Sequence, residues 1–394
     1  MNDKQNLRSS SFDKLRTAGL KSPYVIPLHK PYWGREEERA AILAMRQGTG
    51  VGDLTFSEQL AHAISQSVDS RYVLPTGSGT AALELACACL LKKGDEVLLP
   101  SFTFSSCANA ILLSGAKPVF CDIDIGSYNI DPAEIEKRIT SKTRAVMVVH
   151  YAGMACDMDR IGDLAKRYGL VLIEDAAHAL GSKFKGKHLG TIGLVGCYSF
   201  HGTKNAASGE GGAFVTNDPK IFKRAEIVRE KGTNRSSFMR GERRKYSWVS
   251  VGRSLILSDI LSAIALEQIK KLGEITRLRE KKADYLLRKL AKLSSRLILP
   301  QVTAGTEPNW HIFAIRVPRT IRDKVIEGLR SYGIEASFHY LPLHSSAMGK
   351  KLGYMRRDLP VSEEVASTLI RLPIHPKLKI SELDYIVAAL SKVI

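Results

Sequence analysis

Hydrophobic and polar positions alternate in two rhythms from Ser78 onward. Runs such as Glu96–Pro100 (EVLLP), Arg144–Tyr151 (RAVMVVHY) and Val171–Asp175 (VLIED) are apolar without alternation, the pattern of strands covered on both faces. Between them lie helical patterns: Ser78–Pro100 reads helix, turn, strand, Thr103–Ile123 repeats that order, and Asp157–Asp175 gives a helix and then a strand ending in acid. Leu194–Phe200 and Gly211–Asn217 add two short β-rich runs. This succession predicts an α/β fold with a mostly parallel sheet over about residues 70–250, and active groups at the carboxyl ends of the strands.

Beyond it, Leu257–Leu293 reads as one long amphipathic helix, a connector. From about Leu297, short strands (His311–Val317, Glu335–Leu343) mix with helices at Thr320–Tyr332 and near the end, which predicts a smaller α+β domain. The expected division is a basic, disordered extension over residues 1–23, a large domain over 24–260, a connecting helix over 261–296 and a small domain over 297–394. No internal repeat or low-complexity tract is present.

Composition narrows the class. The chain has 394 residues, 44% hydrophobic and 25% charged, ordinary for a soluble globular protein able to bury a sizeable core. No apolar run is long enough to span a membrane, and the first residues lack the apolar centre of a secretory signal. The six cysteines are scattered without CxxC spacing, so free thiols in a reducing cytoplasm are expected and no metal site. The net charge of +18 suits anionic ligands. Part of the excess is concentrated in Lys220–Arg253, which reads either as a solvated helix and loop or as a site for a diphosphate-bearing substrate. With no recognition helix or RNA-binding motif, no nucleic-acid partner is expected.

Three stretches carry candidate chemistry. In VLIEDAAHALGS a strand delivers Asp175 to its end, followed by small residues and His178. Such an acid is either a cap or turn former, or a carboxylate aimed at a cationic heterocycle. In PTGSGTAAL, Ser78, Gly79 and Thr80 open a helix, a ready anion site. In SFHGTKNAASGEGGA, Ser199 ends a strand, His201 follows, and Lys204 sits among small residues and glycines. A lysine with restricted access to water loses its proton more easily and can form a Schiff base with a carbonyl. A phosphate-loop reading fails on spacing: five residues separate Gly196 from Gly202, and Thr203 intervenes before the lysine. Phosphate cradle, ring-nitrogen partner and Schiff-base lysine together are the parts a pyridoxal-phosphate enzyme needs.

PSFTFSSCANAI, EDAAHALGS, GCYSFHGTKN…GEGGA and LSDILSAIALEQI resemble the DegT/StrS-type sugar-nucleotide aminotransferases, a branch of the aspartate-aminotransferase (fold type I) superfamily, from about Ile26 to the C-terminus. The resemblance implies a three-layer fold type I architecture and the cofactor pyridoxal 5'-phosphate. By the same resemblance Lys204 would be the Schiff-base lysine and Asp175 would pair with the pyridinium nitrogen. His178 would lie by the ring, Phe104 would stack on the opposite ring face, Ser78, Gly79, Thr80 and Ser199 would hold the phosphate, and His201 would lie beside the lysine loop. Many members carry an Asn-Tyr-Arg-Met-Ser run that reaches the neighbouring subunit's site; here it reads Ser254, Leu255, Ile256, Leu257, Ser258, so only Ser254 is left to replace the Asn contact. A homodimer with active sites at the subunit interface is implied on the same ground.

HYAGMACDMD, REKGTNRSSFMRGE, KYSW and SFHYLPLH look most like the enzymes that make dTDP-4-amino-4,6-dideoxygalactose from the 4-keto-6-deoxyglucose nucleotide. The implied substrates are that nucleotide-linked keto sugar and L-glutamate as amino donor. Arg229, Lys231, Arg235 and Arg240 are candidates to meet the diphosphate, with surface solubility as the alternative. His339 and His344 are candidates to line the sugar pocket, or are core or turn histidines. Other keto-sugar nucleotides stay open. A sugar dehydratase is disfavoured because those relatives replace the Schiff-base lysine by histidine, and a non-catalytic regulator is disfavoured by intact Lys204 and Asp175.

Overall fold

The strands are, in chain order, β1 (Tyr72–Thr76), β2 (Glu96–Pro100), β3 (Lys117–Cys121), β4 (Thr143–Val149), β5 (Val171–Asp175), β6 (Lys183–Phe184), β7 (Lys187–His188), β8 (Val195–Ser199), β9 (Gly212–Thr216), β10 (Thr306–Glu307), β11 (Phe313–Arg316) and β12 (Leu369–Leu372). They come from a computed structural model that describes residues 26–48 and 50–394; the extension expected at residues 1–23 lies outside the described residues. Seven strands form one sheet in the order β1-β9-β8-β5-β4-β2-β3. Every pairing is parallel except the two made by β9.

Burial explains the unbroken apolar runs. Leu98 belongs to the same core cluster as Val146 and Val148, whereas its neighbours Val97 and Leu99 belong to another, with Ala145, Met147 and Val149. Successive side chains of a strand point to opposite faces, so both faces of the sheet are covered and no polar position is left to alternate. Helices Gly79–Leu90 and Ser105–Leu113 follow β1 and β2 as crossovers. Because β1, β2, β4, β5 and β8 run the same way, their carboxyl ends meet along one edge.

The amphipathic stretch at Leu257–Leu293 is two helices, Asp259–Lys270 and Leu272–Leu290. The break falls at Lys271, whose ammonium pairs with Glu36 and Glu37. The hydrophobic period continues through that break, so the sequence pattern does not register it. The C-terminal region packs around β11 and β12, which pair antiparallel, in a core cluster that also takes in Phe102, Tyr128 and Tyr151. Ile26 joins this core through a parallel bridge to Ile334. Glu335–Leu343, expected as a strand, keeps one rung, Ser337 with Arg371. The chain then leaves the sheet, and that departure carries His339 and Tyr340 into the wall of a cavity.

Candidate active site

A cavity of about 490 Å³ lies at the carboxyl edge of the large sheet. One wall is the start of helix Gly79–Leu90. Ser78 caps it, its Oγ accepting the Ala81 N–H at 3.0 Å. The N–H groups of the first turn have no carbonyl partner within the helix, and the helix dipole adds partial positive charge there. Ser199, at the end of β8, reaches the same spot: a Cβ on Gly79 would lie 2.8 Å from the Cβ of Ser199. Only glycine lets the helix start and the Ser199 hydroxyl converge, and together they form an anion cradle. Thr80 closes it, with its Oγ1 2.7 Å from Ser106 Oγ.

The loop between β8 and β9 holds Lys204 over this cavity. Phe200 N–H donates to Gly211 O and Gly202 N–H to Gly209 O, both at 2.8 Å, and Lys204 N–H closes a turn onto His201 O at 2.8 Å. Gly211 has φ +150° and would bring a Cβ within 3.0 Å of Ser208 Oγ, which accounts for the glycines around the lysine. Burial pulls the Lys204 pKa down to about 8; Asp175 opposes that shift and Arg371 reinforces it. A neutral amine is therefore accessible near physiological pH.

Asp175 ends β5 and is buried. Its Oδ1 accepts the Ala177 N–H at 3.0 Å and its Oδ2 accepts the Cys107 thiol at 2.9 Å. The preceding residue, Glu174, faces the other way and accepts from the N–H groups of Gly190 and Ile192, each at 2.7 Å. Its Oε2 also takes the Nε2 proton of His150 at 2.9 Å, since His150 Nδ1 is already the acceptor for Cys156 N–H. This buried network fixes the strand end from which Asp175 projects.

His178 is buried and neutral, because desolvation and the charge of Lys204 hold its pKa well below the usual value. Its Nδ1 accepts the Ala152 N–H at 3.3 Å, so the ring proton sits on Nε2, 3.4 Å from the Tyr340 hydroxyl. Asn309 holds the backbone of this segment, donating to His178 O and Leu180 O at 2.8 Å. Phe104 is 58% exposed at the cavity mouth, its ring centroid 6.4 Å from that of Tyr340. His201 also lines the cavity and bonds Thr203 Oγ1 at 2.9 Å.

Thus Lys204, Asp175, His178, Ser78, Gly79, Thr80, Phe104, Ser199 and His201 all border one cavity. Ser254 does not: it is exposed and bridges to Glu230. Of the six residues weighed for the substrate, His339 lines the cavity. Arg229 is instead buried, with NH2 on Asp53 Oδ2 at 2.6 Å and NH1 on Pro75 O at 2.8 Å. Lys231 pairs with Glu230, Arg240 pairs with Glu226 and Glu242, and Arg235 opens the short helix Arg235–Met239. His344 is buried on Ser101 Oγ at 2.7 Å. The cavity also takes in His29, His311 and Arg371, which the sequence reading passed over. The signal for Arg371 was there: it is a lone charge in the apolar run TLIRLPI.

These groups fit pyridoxal 5'-phosphate: a cradle of hydroxyls and N–H groups for its phosphate, a buried carboxylate for its ring nitrogen, and an amine of lowered basicity for its aldehyde. Comparison with known proteins agrees. Residues 33–391 match the DegT/DnrJ/EryC1/StrS aminotransferase family. The chain is 32% identical to the GDP-perosamine synthase of Caulobacter vibrioides, over 91% of this chain and 95% of that one. It is 33% identical to the dTDP-4-dehydro-2,3,6-trideoxy-D-glucose 4-aminotransferase of Saccharopolyspora spinosa, over 91% and 94%. Among solved structures, Spr1654 from Streptococcus pneumoniae in its PLP form superposes with a TM-score of 0.86 at 26% identity, covering 94% of this chain and 100% of that one. By name these relatives are a GDP-sugar synthase and a dTDP-sugar aminotransferase, and here the lysine, the aspartate and the helix start border one cavity. The chain belongs to the DegT/DnrJ/EryC1/StrS aminotransferase family and is a pyridoxal-phosphate-dependent transaminase.

Proposed function

We propose that the protein moves the amino group of L-glutamate onto C4 of a nucleotide-linked 4-keto-6-deoxy sugar, dTDP-4-dehydro-6-deoxyglucose, to give dTDP-4-amino-4,6-dideoxygalactose. The observation that carries the reading is that Lys204 and Asp175 border one cavity beside the Ser78–Thr80 helix start. Bound pyridoxal phosphate supplies an electrophilic aldehyde and an electron-withdrawing ring. In this reading Asp175 holds the proton of the ring nitrogen, and Ser78, Gly79, Thr80 and Ser199 hold the phosphate. Phe104 covers one ring face, and His178 donates through Nε2. Lys204, half-neutral at a pH of about 8, anchors the cofactor at rest. Its free Nζ would accept the donor's α-proton, and water would supply the keto oxygen with which L-glutamate leaves as 2-oxoglutarate. The same amine returns a proton at C4 of the sugar.

Two further features support the reading. Among the described residues no helix is long and apolar enough to cross a membrane, and all six cysteines are free and buried, in keeping with a cytoplasmic enzyme. Trp248, Val251 and Met239 are 76%, 81% and 61% exposed, an apolar surface that a second copy would cover in the proposed homodimer; Ser254 lies in the same stretch and would meet the partner's cofactor. The test is a panel of keto-sugar nucleotides with L-glutamate, the product configuration at the aminated carbon being read by NMR. A 4-amino product of galacto configuration from the dTDP sugar is expected. Turnover only of UDP- or GDP-linked sugars, or amination at C3, would overturn the substrate assignment.

A further inference from the structure

Trp310 is buried and has φ +49°, a left-handed conformation that a bulky side chain adopts only where its surroundings impose it. The bonds around it do so. Asn309 N–H donates to Ser182 Oγ at 2.9 Å, and Asn309 Oδ1 accepts the His311 N–H at 3.0 Å. Arg279 NH1 donates to Trp310 O at 3.1 Å and to His311 O at 3.3 Å, and a further bond to Ile374 O at 2.9 Å anchors it. The reversal turns two residues toward one amide, that of Asn205. Asn309 O accepts from its Nδ2 at 3.2 Å, and His311 Nδ1 lies 3.0 Å from its Oδ1. Because the Asn309 carbonyl can only accept, Asn205 Oδ1 must face His311, which therefore carries its ring proton on Nδ1. His311 itself borders the cavity.

Asn205 directly follows Lys204. The loop's own backbone bonds reach Lys204 N–H on one side and Ser208 N–H on the other. Between them, Asn205 and Ala207 are tied to distant elements: Ala207 O accepts Trp33 Nε1–H at 2.7 Å, and Ala207 N–H donates to Gln268 Oε1 at 3.3 Å. A lysine side chain has many rotamers, so slack in this stretch would let the amine swing and admit water. We propose that the Asn309–His311 turn, acting through Asn205, positions the Lys204 amine in the cavity and keeps water from it. The proposal rests on Lys204 as the lysine that bears the cofactor, and not on the identity of the sugar. The charged groups that act on this amine are Asp175 from β5 and Arg371 from β12. Glu210 and His201 stand at the same cavity, both exposed. His29, His178, His311 and His339 are held below the ordinary histidine range, first by burial, and are neutral. Uncharged replacements at Asn205 and His311 therefore leave the local charge unaltered and report on position and water access.

The test is the pH dependence of pyridoxal 5'-phosphate capture by the apoenzyme of wild type, Asn205→Ala, His311→Ala and His311→Asn. Capture is followed by absorbance, and borohydride reduction with peptide mapping locates the attached lysine. Wild type should show a midpoint near pH 8. Asn205→Ala should raise that midpoint by roughly one unit, toward the ordinary lysine range, so capture at neutral pH slows about tenfold with the neutral fraction of the amine. His311→Ala removes one of the two bonds and should give a smaller rise. His311→Asn puts a donor back in the place of Nδ1 and should return the midpoint to that of wild type. Affinity for pyridoxamine 5'-phosphate, which forms no covalent bond to a lysine, should stay unchanged because the phosphate cradle is intact. An unmoved midpoint in Asn205→Ala overturns the proposal. So does a lowered urea midpoint without a pH shift, since the turn then serves the fold alone. Attachment at a lysine other than Lys204 overturns the cofactor-lysine reading itself, and the proposal with it. If Asn205→Ala does not fold by circular dichroism, His311→Ala decides, and an unmoved midpoint there overturns the proposal.

Discussion

The thiol of Cys107 donates to Oδ2 of Asp175 across 2.9 Å, while Oδ1 takes the Ala177 N–H at 3.0 Å. Burial and the facing carboxylate push the thiol's pKa well up, so it remains a donor. The two bonds fix the plane of the carboxylate under the cavity. Cys107→Ala is expected to lower the rate of the glutamate half-reaction about threefold to tenfold through lost positioning, with cofactor affinity nearly unchanged. Cys107→Ser, which keeps a donor, should restore most of it. Stopped-flow spectra of the bound cofactor decide the point; equal rates in Cys107→Ala would rule out a positioning role.

Lys204→Ala should abolish both the visible absorbance of the bound cofactor and nearly all turnover. The wild-type apoenzyme gives the pH test. With its pKa lowered to about 8 from the ordinary 10.5, Lys204 offers a neutral, nucleophilic amine above that pH. Cofactor capture should therefore rise with pH through a midpoint near 8 and then level off. A capture rate still climbing toward the ordinary lysine range would show that burial does not set its reactivity.

Asp175→Asn removes the negative charge and leaves the shape. Cofactor binding is expected to survive far better than turnover, because the phosphate cradle is untouched while the ring nitrogen loses the partner that keeps it protonated. Equilibrium cofactor titration beside steady-state rates separates the two. Near-normal rates would argue against the electron-sink role of this carboxylate.

Glu174→Gln is a prediction about stability. Glu174 is fully buried and accepts from Gly190 N–H, Ile192 N–H and His150, and an amide would turn a donor toward one of these donors. A loss of about 3 kcal/mol is expected from breaking a buried network of this kind, read from urea midpoints. A loss below about 0.5 kcal/mol, the range of neutral surface changes, would mean that the network does not hold the strand end.

Strand ends were the most legible part of the site. Asp175 and Ser199 stand at the last positions of β5 and β8 because an apolar run stops at a polar residue there. Lys204 was legible from its small neighbours, which the tight turn demands. Long-range pairing was not. Arg229 looks like one more surface cation in a basic stretch, and its partner Asp53 lies 176 residues upstream. Arg371 sits in a strand whose facing direction depends on its pairing with β11. The break at Lys271 was hidden because both helices keep the same apolar stripe.

The contact between His29 and Arg371 joins residues 342 positions apart. During synthesis the large sheet can assemble with Lys204 and Asp175 in place while this corner is still open, since domains fold as units from the N-terminal side. That corner of the cavity wall is completed only when β12 leaves the ribosome. A nascent chain stalled before that strand would carry Lys204, Asp175 and the Ser78–Thr80 helix start and lack Arg371, so the two sides of the cavity would be acquired in that temporal order.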